Sequence, residues 1–210
     1  MKRTVTSFFD KEYLEYAKYV VENRAIPSCI DGLKPTQRKV VYIANKIWKT
    51  GNEKPMKLFQ LAGRVAAEAF YHHGNTSLES SMVGMAQKFK NSLPLLEGIG
   101  QFGSLRSPSA GAPRYISAKL HPNFRLLYQD FELLDNKIEE GEKIEPEHFL
   151  PIVPTVILNG TSGIAVGFAT NILNRNPKDV VNACISVLKG KRMPVLAPWL
   201  KEFSGTFTRD

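Results

Sequence analysis

The sequence has little cysteine and no apolar run long enough to cross a membrane. Its two cysteines, Cys29 and Cys184, form no metal-binding motif and no disulfide framework. Both lie among apolar residues, so we predict reduced cysteines in the core of an intracellular protein. No stretch reaches the ~18–20 apolar residues that span a bilayer, and the start lacks the apolar centre of a signal peptide. We therefore expect a cytoplasmic chain with no membrane partner.

Charge is unevenly distributed along the 210 residues, which are 43% hydrophobic and can form one large or two modest domains. Residues 1–128 carry 19 Lys and Arg against 9 Asp and Glu, whereas residues 129–148 carry 2 against 8. The basic part would attract a polyanion. The acidic stretch is predicted to be a solvated linker or turn rather than a metal site, and we place a domain boundary after residue 145.

Helical periodicity begins early in the basic part. Asp10 is the candidate cap of a first helix that ends near Arg24. A second helix is predicted to start at Pro35 and to expose Arg38 and Lys39 in its first turns. Cations beside a helix N-terminus favour phosphate binding. A solvated basic face explains the same pattern, and the spacing alone leaves both interpretations open.

Two further amphipathic helices indicate a helix-turn-helix. Residues 57–69 show clean helical spacing, and Thr76 with Glu79 predicts a capping box for the next helix. The second helix of such a motif enters the major groove of DNA. His72 and His73, in the turn between the helices, could bind phosphate or carry protons near neutral pH. Structural histidines are the alternative, and zinc is disfavoured at adjacent positions.

A glycine- and proline-rich loop over residues 98–113 leads to Arg114 and Tyr115, just before an apolar run resumes at Ile116. A phenol is a weak nucleophile at its ordinary pKa near 10, so attack on a phosphate needs activation. The guanidinium of Arg114 could stabilise charge on phosphoryl oxygens. The alternative is a packed tyrosine beside a solvated arginine.

The C-terminal part is predicted to be a smaller α/β unit. Val153–Leu158 has the composition of a buried strand, and residues 159–167 form a turn followed by a small-residue apolar segment. A helix should begin at Pro177 and stop at Gly190. A final loop is predicted to lead into a strand over residues 198–205. The absence of a closing element suggests a domain that continues beyond this sequence.

Four stretches, in order, resemble the DNA breakage-and-rejoining core of the type IIA DNA topoisomerases. The first stretch matches the family's opening signature, and the second matches its helix-turn-helix. The third matches the active-site tyrosine loop, and the fourth matches the DNA-bending segment. The tyrosine loop resembles the eukaryotic and phage branches, and the fourth stretch resembles gyrase. The stretches are Arg24-Ala-Ile-Pro27 with Asp31-Gly-Leu-Lys-Pro-Thr-Gln-Arg-Lys39, Tyr71-His-His-Gly74 with Met85-Ala-Gln87, Gly100-Gln-Phe-Gly103 with Ala112-Pro-Arg-Tyr-Ile116, and Asn159-Gly-Thr-Ser-Gly-Ile-Ala-Val-Gly167.

This resemblance implies a fold and a set of roles. The fold would be α+β, a winged-helix domain over residues 1–145 followed by the start of an α/β tower domain over residues 146–210. Tyr115 would attack a DNA phosphate to give a 5′-phosphotyrosyl link, and Arg114 would stabilise the transition state. Ile164 would wedge between base pairs and kink the duplex. The DNA-binding positions that match the family are Arg24, Lys34, Arg38, Lys39, His72, His73 and Ser77.

The resemblance also implies partners. The family binds double-stranded DNA as a two-fold dimer with one tyrosine per strand. Its Mg²⁺ is held by a Glu and an Asp-x-Asp motif in a Toprim domain, and its ATP by an ATPase domain. This sequence has no Asp-x-Asp and no ATP-binding loop, so no metal ligand is assigned here and both cofactors would lie on a partner. We expect a separate subunit rather than an excised piece, nuclear if the source is eukaryotic.

The alternative from a different functional class is a non-catalytic winged-helix DNA-binding protein. Both candidates predict salt-sensitive binding to duplex DNA. Only a topoisomerase requires Arg114 and Tyr115 on an exposed loop, and only a topoisomerase becomes covalently attached to DNA.

Overall fold

The computed structural model describes residues 4–51, 53–201 and 203–208. Helices and small antiparallel sheets alternate along the chain, which is the predicted α+β class. In chain order the helices are α1 (Val5–Phe8), α2 (Leu14–Val20), α3 (Pro35–Ile47), α4 (Leu58–Glu68), α5 (Asn75–Ala86), α6 (Asn123–Leu127), α7 (Thr155–Leu158) and α8 (Pro177–Leu188). The strands are β1 (Met56–Lys57), β2 (Leu96–Ile99), β3 (Ser117–Leu120), β4 (Asn136–Glu139), β5 (Glu142–Pro146), β6 (Thr161–Ile164) and β7 (Ala169–Ile172).

The N-terminal helix starts earlier than its sequence predicts. Thr4 has extended backbone angles, and its hydroxyl accepts a hydrogen bond from the Ser7 amide at 3.2 Å. A wider π-helical segment, Phe9–Tyr13, then connects α1 to α2. The predicted cap at Asp10 is therefore wrong, because the helix already begins after Thr4, whose hydroxyl caps one free amide of the first turn.

Helices α3, α4 and α5 pack against an antiparallel sheet with strand order β1-β3-β2, an arrangement consistent with a winged helix. The helices bury the apolar faces that their periodicity predicted. Trp48 at the end of α3 and Phe124 on α6 are among the largest fully buried side chains. The core thus fixes the two helices of the helix-turn-helix relative to the strand that follows Tyr115.

The helix α5 begins one residue before the predicted capping box. The N-cap residue of α5 is Gly74, which has a φ of 76° and no side chain that could cap the helix. Thr76 consequently lies inside the first turn. The capping-box prediction is wrong because the chain uses the left-handed conformation of a glycine to enter the helix.

The acidic stretch is an ordered hairpin rather than a linker, and the predicted solvated turn is its exposed tip at Glu140 and Gly141. Strands β4 and β5 pair around Glu140 and Gly141, which have φ values of 51° and 83°. Two consecutive positive φ angles are typical of the tight turns that join twisted antiparallel strands. Glu145 on β5 is buried against α3. The hairpin is therefore part of the packed structure around α3.

The C-terminal part differs from prediction at both ends. The segment expected to be a buried strand forms the one-turn helix α7, and Pro154 is the extended residue directly before it. Strands β6 and β7 form a hairpin, and α8 begins at Pro177 as predicted. In the described part of residues 198–205, the predicted strand is limited to a single bridge between Pro198 and Arg175.

The cysteines differ from their prediction. Cys29 is exposed and Cys184 is half-buried, so neither is the core residue that its apolar neighbours suggested. In the described residues, no helix is both long and apolar enough to cross a membrane.

Candidate active site and nucleic-acid interface

Tyr115 lies on an exposed turn that immediately precedes β3. The turn is closed by a hydrogen bond from the Tyr115 amide to the Ala112 carbonyl at 2.9 Å. The next residue, Ile116, is buried and secures the turn to the core, whereas Tyr115 is 70% exposed. Tyr115 is therefore not the packed tyrosine of the alternative interpretation.

Two cations lie beside this tyrosine. The guanidinium carbon of Arg114 is 5.0 Å from the centroid of the Tyr115 ring, a distance typical of cation–π contacts. The ammonium of Lys57 donates a hydrogen bond to the Tyr115 carbonyl at 2.8 Å. The sequence indicated no role for Lys57 beyond its place at the start of the helical spacing over residues 57–69. Its place next to Tyr115 follows from the pairing of β1 with β3, which sets Lys57 opposite Ser117.

Backbone amides at the start of α4 donate hydrogen bonds to the turn that carries Tyr115. The amide of Leu58 donates to the Ile116 carbonyl at 3.1 Å, and the amide of Phe59 donates to the Pro113 carbonyl at 3.4 Å. The first amides of a helix have no partner within the helix. Here they bind the tyrosine turn, so the position of Tyr115 depends directly on α4.

The glycine-rich loop before the turn is held by the buried side chain of Gln87. Its amide nitrogen donates to the carbonyls of Phe102 and Pro108, each at 2.9 Å. At Gly103, which has a φ of 81°, a Cβ would lie 2.7 Å from the Pro108 carbonyl oxygen. This close approach requires glycine. Gln87 is thus a second site residue without an assigned role in the sequence analysis, although it belongs to the matching stretch Met85-Ala-Gln87.

The histidines lie at the other end of α4 from Tyr115. Since α4 has 11 residues, the two ends are separated by about 16 Å at 1.5 Å per residue. Nε2 of His73 is 3.3 Å from the Tyr19 hydroxyl, and the Tyr71 hydroxyl donates to the Ser77 hydroxyl at 3.0 Å. His72, His73 and Ser77 are exposed. The protomer therefore groups these three residues together but does not bring them to Tyr115.

The cationic residues of the predicted basic surface differ in how deeply they are buried. Arg24 is exposed, and burial lowers the pKa of Lys34. Arg38 is only 4% exposed, and Lys39 is held by Glu145, with their charged atoms 3.0 Å apart. The prediction that the first turns of α3 expose both Arg38 and Lys39 is therefore wrong, because each is paired with a carboxylate from another segment.

Asp31 is the centre of the buried network that holds Arg38. Its carboxylate accepts hydrogen bonds from Nε and Nη2 of Arg38 at 2.7 and 3.0 Å, and from the amides of Leu33 and Phe149 at 2.9 and 3.0 Å. Its carbonyl accepts from the hydroxyls of Tyr128 and Thr155 at 3.0 and 2.7 Å. Burial raises the pKa of Tyr128, which stays a neutral donor. The network joins the predicted winged-helix segment to α7.

Ile164 lies at the end of β6 and is 87% exposed. The preceding residue, Gly163, is buried, and a Cβ there would overlap the carbonyl oxygen of Ala25. The same Cβ position is 3.7 Å from the ammonium of Lys34. The structure therefore brings the β6–β7 hairpin against the segment that carries Arg24, and it leaves the Ile164 side chain free at the surface.

The residues near Tyr115 do not form a metal site. In the described ranges, no three His, Cys, Asp or Glu side chains come together with the geometry of a metal site. The immediate neighbours of Tyr115 are cations, which repel Mg²⁺ rather than bind it. The donor set of this chain therefore does not fit a resident Mg²⁺ at the tyrosine.

Comparison with known families and proteins gives a consistent result. The profile of the family described as the A subunit of DNA gyrase/topoisomerase IV matches residues 24–210. The chain is 43% identical over 203 residues to the DNA topoisomerase medium subunit of Enterobacteria phage T4, covering 97% of the chain and 46% of that protein. It is 40% identical over 214 residues to DNA topoisomerase 2 of Arabidopsis thaliana, covering 99% of the chain and 14% of that protein.

The fold is also similar to a solved structure. The Plasmodium falciparum topoisomerase II DNA-binding, cleavage and re-ligation domain matches with a TM-score of 0.85 and 36% identity, over 95% of this chain and 28% of that chain. This likeness confirms the predicted α+β fold class. The chain spans less than half the length of each of these relatives.

Proposed function

Because the chain belongs to the family of DNA gyrase/topoisomerase IV A subunits, we propose that it is the DNA-binding and DNA-cleaving part of a type IIA topoisomerase. The observation that carries this proposal is the exposed Tyr115, with Arg114 against its ring, on a turn fixed to α4. A non-catalytic DNA-binding protein has no need of an exposed tyrosine supported in this way. That alternative is therefore not favoured.

In the proposed reaction the Tyr115 hydroxyl oxygen attacks a backbone phosphorus of DNA. A bond forms between that oxygen and phosphorus, and the bond from phosphorus to the 3′-oxygen breaks. The phenol proton passes to solvent, and the leaving 3′-oxygen takes up a proton to become a hydroxyl. One phosphodiester replaces another, so resealing by the 3′-hydroxyl needs no external energy at this step.

The cations around Tyr115 have distinct roles in this proposal. The exposed Arg114 guanidinium can rotate from the tyrosine ring to the phosphoryl oxygens, where it stabilises charge in the transition state. Lys57 fixes the tyrosine main chain. Mg²⁺ would be supplied by a Toprim partner, because the described residues hold no cluster that could bind a metal ion. ATP would be supplied by an ATPase partner, as the resemblance implies.

Fewer residues are proposed to contact DNA directly than the sequence predicted. Exposed side chains with polar or cationic groups remain suited to the DNA backbone, as do the half-buried Lys34 and Lys39, and Ile164 remains suited to wedge between base pairs. Arg38 leaves this set because its donors are committed to Asp31. The proposed direct backbone contacts are Arg24, Lys34, Lys39, His72, His73 and Ser77.

The proposed assembly is a two-fold dimer that breaks both strands, one with each Tyr115. Within it, residues 1–145 would form the winged-helix domain and residues 146–210 the start of the tower domain. The holoenzyme would pass a second duplex through the double-strand break. We place it in the cytoplasm, or in the nucleus of a eukaryotic source.

Denaturant trapping of protein on DNA tests the proposal. The protein, a Toprim-bearing partner and Mg²⁺ are mixed with labelled duplex, and covalent protein–DNA complexes are counted after the addition of detergent. Wild-type protein and Tyr16→Phe, a control at another exposed tyrosine, should give complexes. Tyr115→Phe should bind duplex with nearly unchanged affinity and give none. Complexes that persist in Tyr115→Phe would show that another residue is the nucleophile.

A further inference from the structure

We propose that Lys39 and His72 together form one subsite for a DNA backbone phosphate, and that the Glu139 carboxylate fills this subsite when DNA is absent. The acidic hairpin would then compete with DNA for two of the groups that bind it. This inference rests on the DNA-binding function proposed above. It adds an internal competitor that sets the affinity of that surface.

A single carboxylate bridges the two groups. Oε2 of Glu139 is 3.6 Å from the Lys39 ammonium, and Oε1 is 3.6 Å from Nε2 of His72. Lys39 comes from α3 and His72 from the junction between α4 and α5, so only the folded chain brings them together. A phosphodiester also has two free oxygens on one central atom. The Glu139 carboxylate thus stands where such a phosphate would meet both groups.

The distances and burial indicate which of the two carboxylates near Lys39 can leave. Glu145 lies 3.0 Å from the ammonium and its side chain is 2% exposed, so its removal would leave a buried charge unpaired. The Glu139 side chain is 37% exposed, and its contacts at 3.6 Å are longer than hydrogen bonds. Glu139 is the last residue of β4 before the turn. Its side chain can therefore move into solvent without opening the hairpin.

The charges around Lys39 determine how strongly Glu139 competes with DNA. One ammonium faces two carboxylates, so the cluster around Lys39 carries a net negative charge while Glu139 remains in place and is neutral once Glu139 leaves. An approaching phosphate would be repelled until Glu139 moves away. Binding of DNA then exchanges one anion for another at Lys39. The exchange costs the exposed contacts of Glu139 and leaves the buried pair with Glu145 intact.

Equilibrium binding of a labelled duplex tests the inference. Glu139→Gln should bind roughly two- to five-fold more tightly than wild type, as expected from the loss of one or two weak, partly exposed contacts of the Glu139 carboxylate. Glu140→Gln removes the same charge from the next position, which makes no ion pair in the described part of the chain. It should stay within about 1.5-fold of wild type because salt screens distant charges.

A double-mutant cycle separates this contact from general repulsion between the hairpin and DNA. With His72→Gln as background, the gain from Glu139→Gln should shrink, since half of the subsite is already lost. Equal affinity of Glu139→Gln and wild type, an equal gain from Glu140→Gln, or an undiminished gain in the His72→Gln background would each overturn the inference. These outcomes would leave the proposed function standing. Wild-type protein that fails to bind duplex would instead remove the proposed function, and this inference with it.

Discussion

Arg24 and Arg38 occur in the same motif, but the structure predicts opposite consequences when each is replaced. Arg38→Met removes a guanidinium that is buried against Asp31, while it keeps most of the apolar stem. Arg24→Met makes the same chemical change at an exposed position. We expect the first variant to lose stability and the second to lose DNA affinity.

The magnitude for Arg38→Met follows from the hydrogen bonds of Asp31. Removing one partner of a buried ion pair costs about 3–5 kcal/mol, because the other charge stays buried without compensation. Asp31 would keep the amides of Leu33 and Phe149 as donors, so we expect the lower end, about 3 kcal/mol. With a urea dependence of roughly 2 kcal/mol per molar, the unfolding midpoint should fall by about 1.5 M.

Urea unfolding followed by circular dichroism, together with duplex binding over a range of salt, measures both effects. The free energy of unfolding of Arg24→Met should lie within about 0.5 kcal/mol of the wild-type value. If Arg24 meets one phosphate, the variant's slope of log affinity against log salt should be less steep by about 0.9. Arg38→Met should keep the wild-type slope below its unfolding transition. A midpoint of Arg38→Met within about 0.3 M of wild type, or a reduced salt slope, would refute this account of Arg38.

Three further predictions concern other parts of the chain. Ile164→Ala should reduce DNA bending, measured by energy transfer between labelled duplex ends, with little loss of affinity; an unchanged bend would rule out the wedge. Gly163→Ala should lower the free energy of unfolding in urea by about 1–3 kcal/mol, because its Cβ would meet the Ala25 carbonyl. The control Gly63→Ala, at a helical position with open space around it, should be neutral or stabilising. Equal effects of the two substitutions would contradict this packing. Burial lowers the pKa of His121, so stability should fall as pH drops below about 6.5. His121→Asn should flatten that fall below about pH 6.5, and an unchanged pH profile would exclude His121 as its source.

Local pattern predicted much of the fold. The apolar spacing of α4 and α5 correctly placed both helices and the histidine turn between them, because a helix face is a property of residues three and four apart. Prediction failed at Val153–Leu158, where an apolar run is compatible with a strand or a buried helix. It also failed in the acidic stretch, where high charge concealed a hairpin whose Glu145 is buried against α3.

The candidate site was predicted in part. The glycines and prolines before them placed Arg114 and Tyr115 at the end of a loop but left a packed tyrosine open as an alternative, and the structure shows Tyr115 exposed. Their roles in cleavage stay a prediction. Lys57 and Gln87 were not identified as supports of the turn, because their contacts depend on strand pairing and on a loop that folds back onto α5.

The sequence by itself determined the order of the motifs, the periodicity of the helices and the exposed ends of loops, since each depends on neighbouring residues. Only the tertiary structure decided which cations face solvent. Lys39 is held by Glu145, which is 106 residues away in the chain, and Arg38 is buried by segments from several elements. Burial and long-range ion pairs arise when distant segments pack, and one basic motif therefore contains both an exposed Arg24 and a structural Arg38.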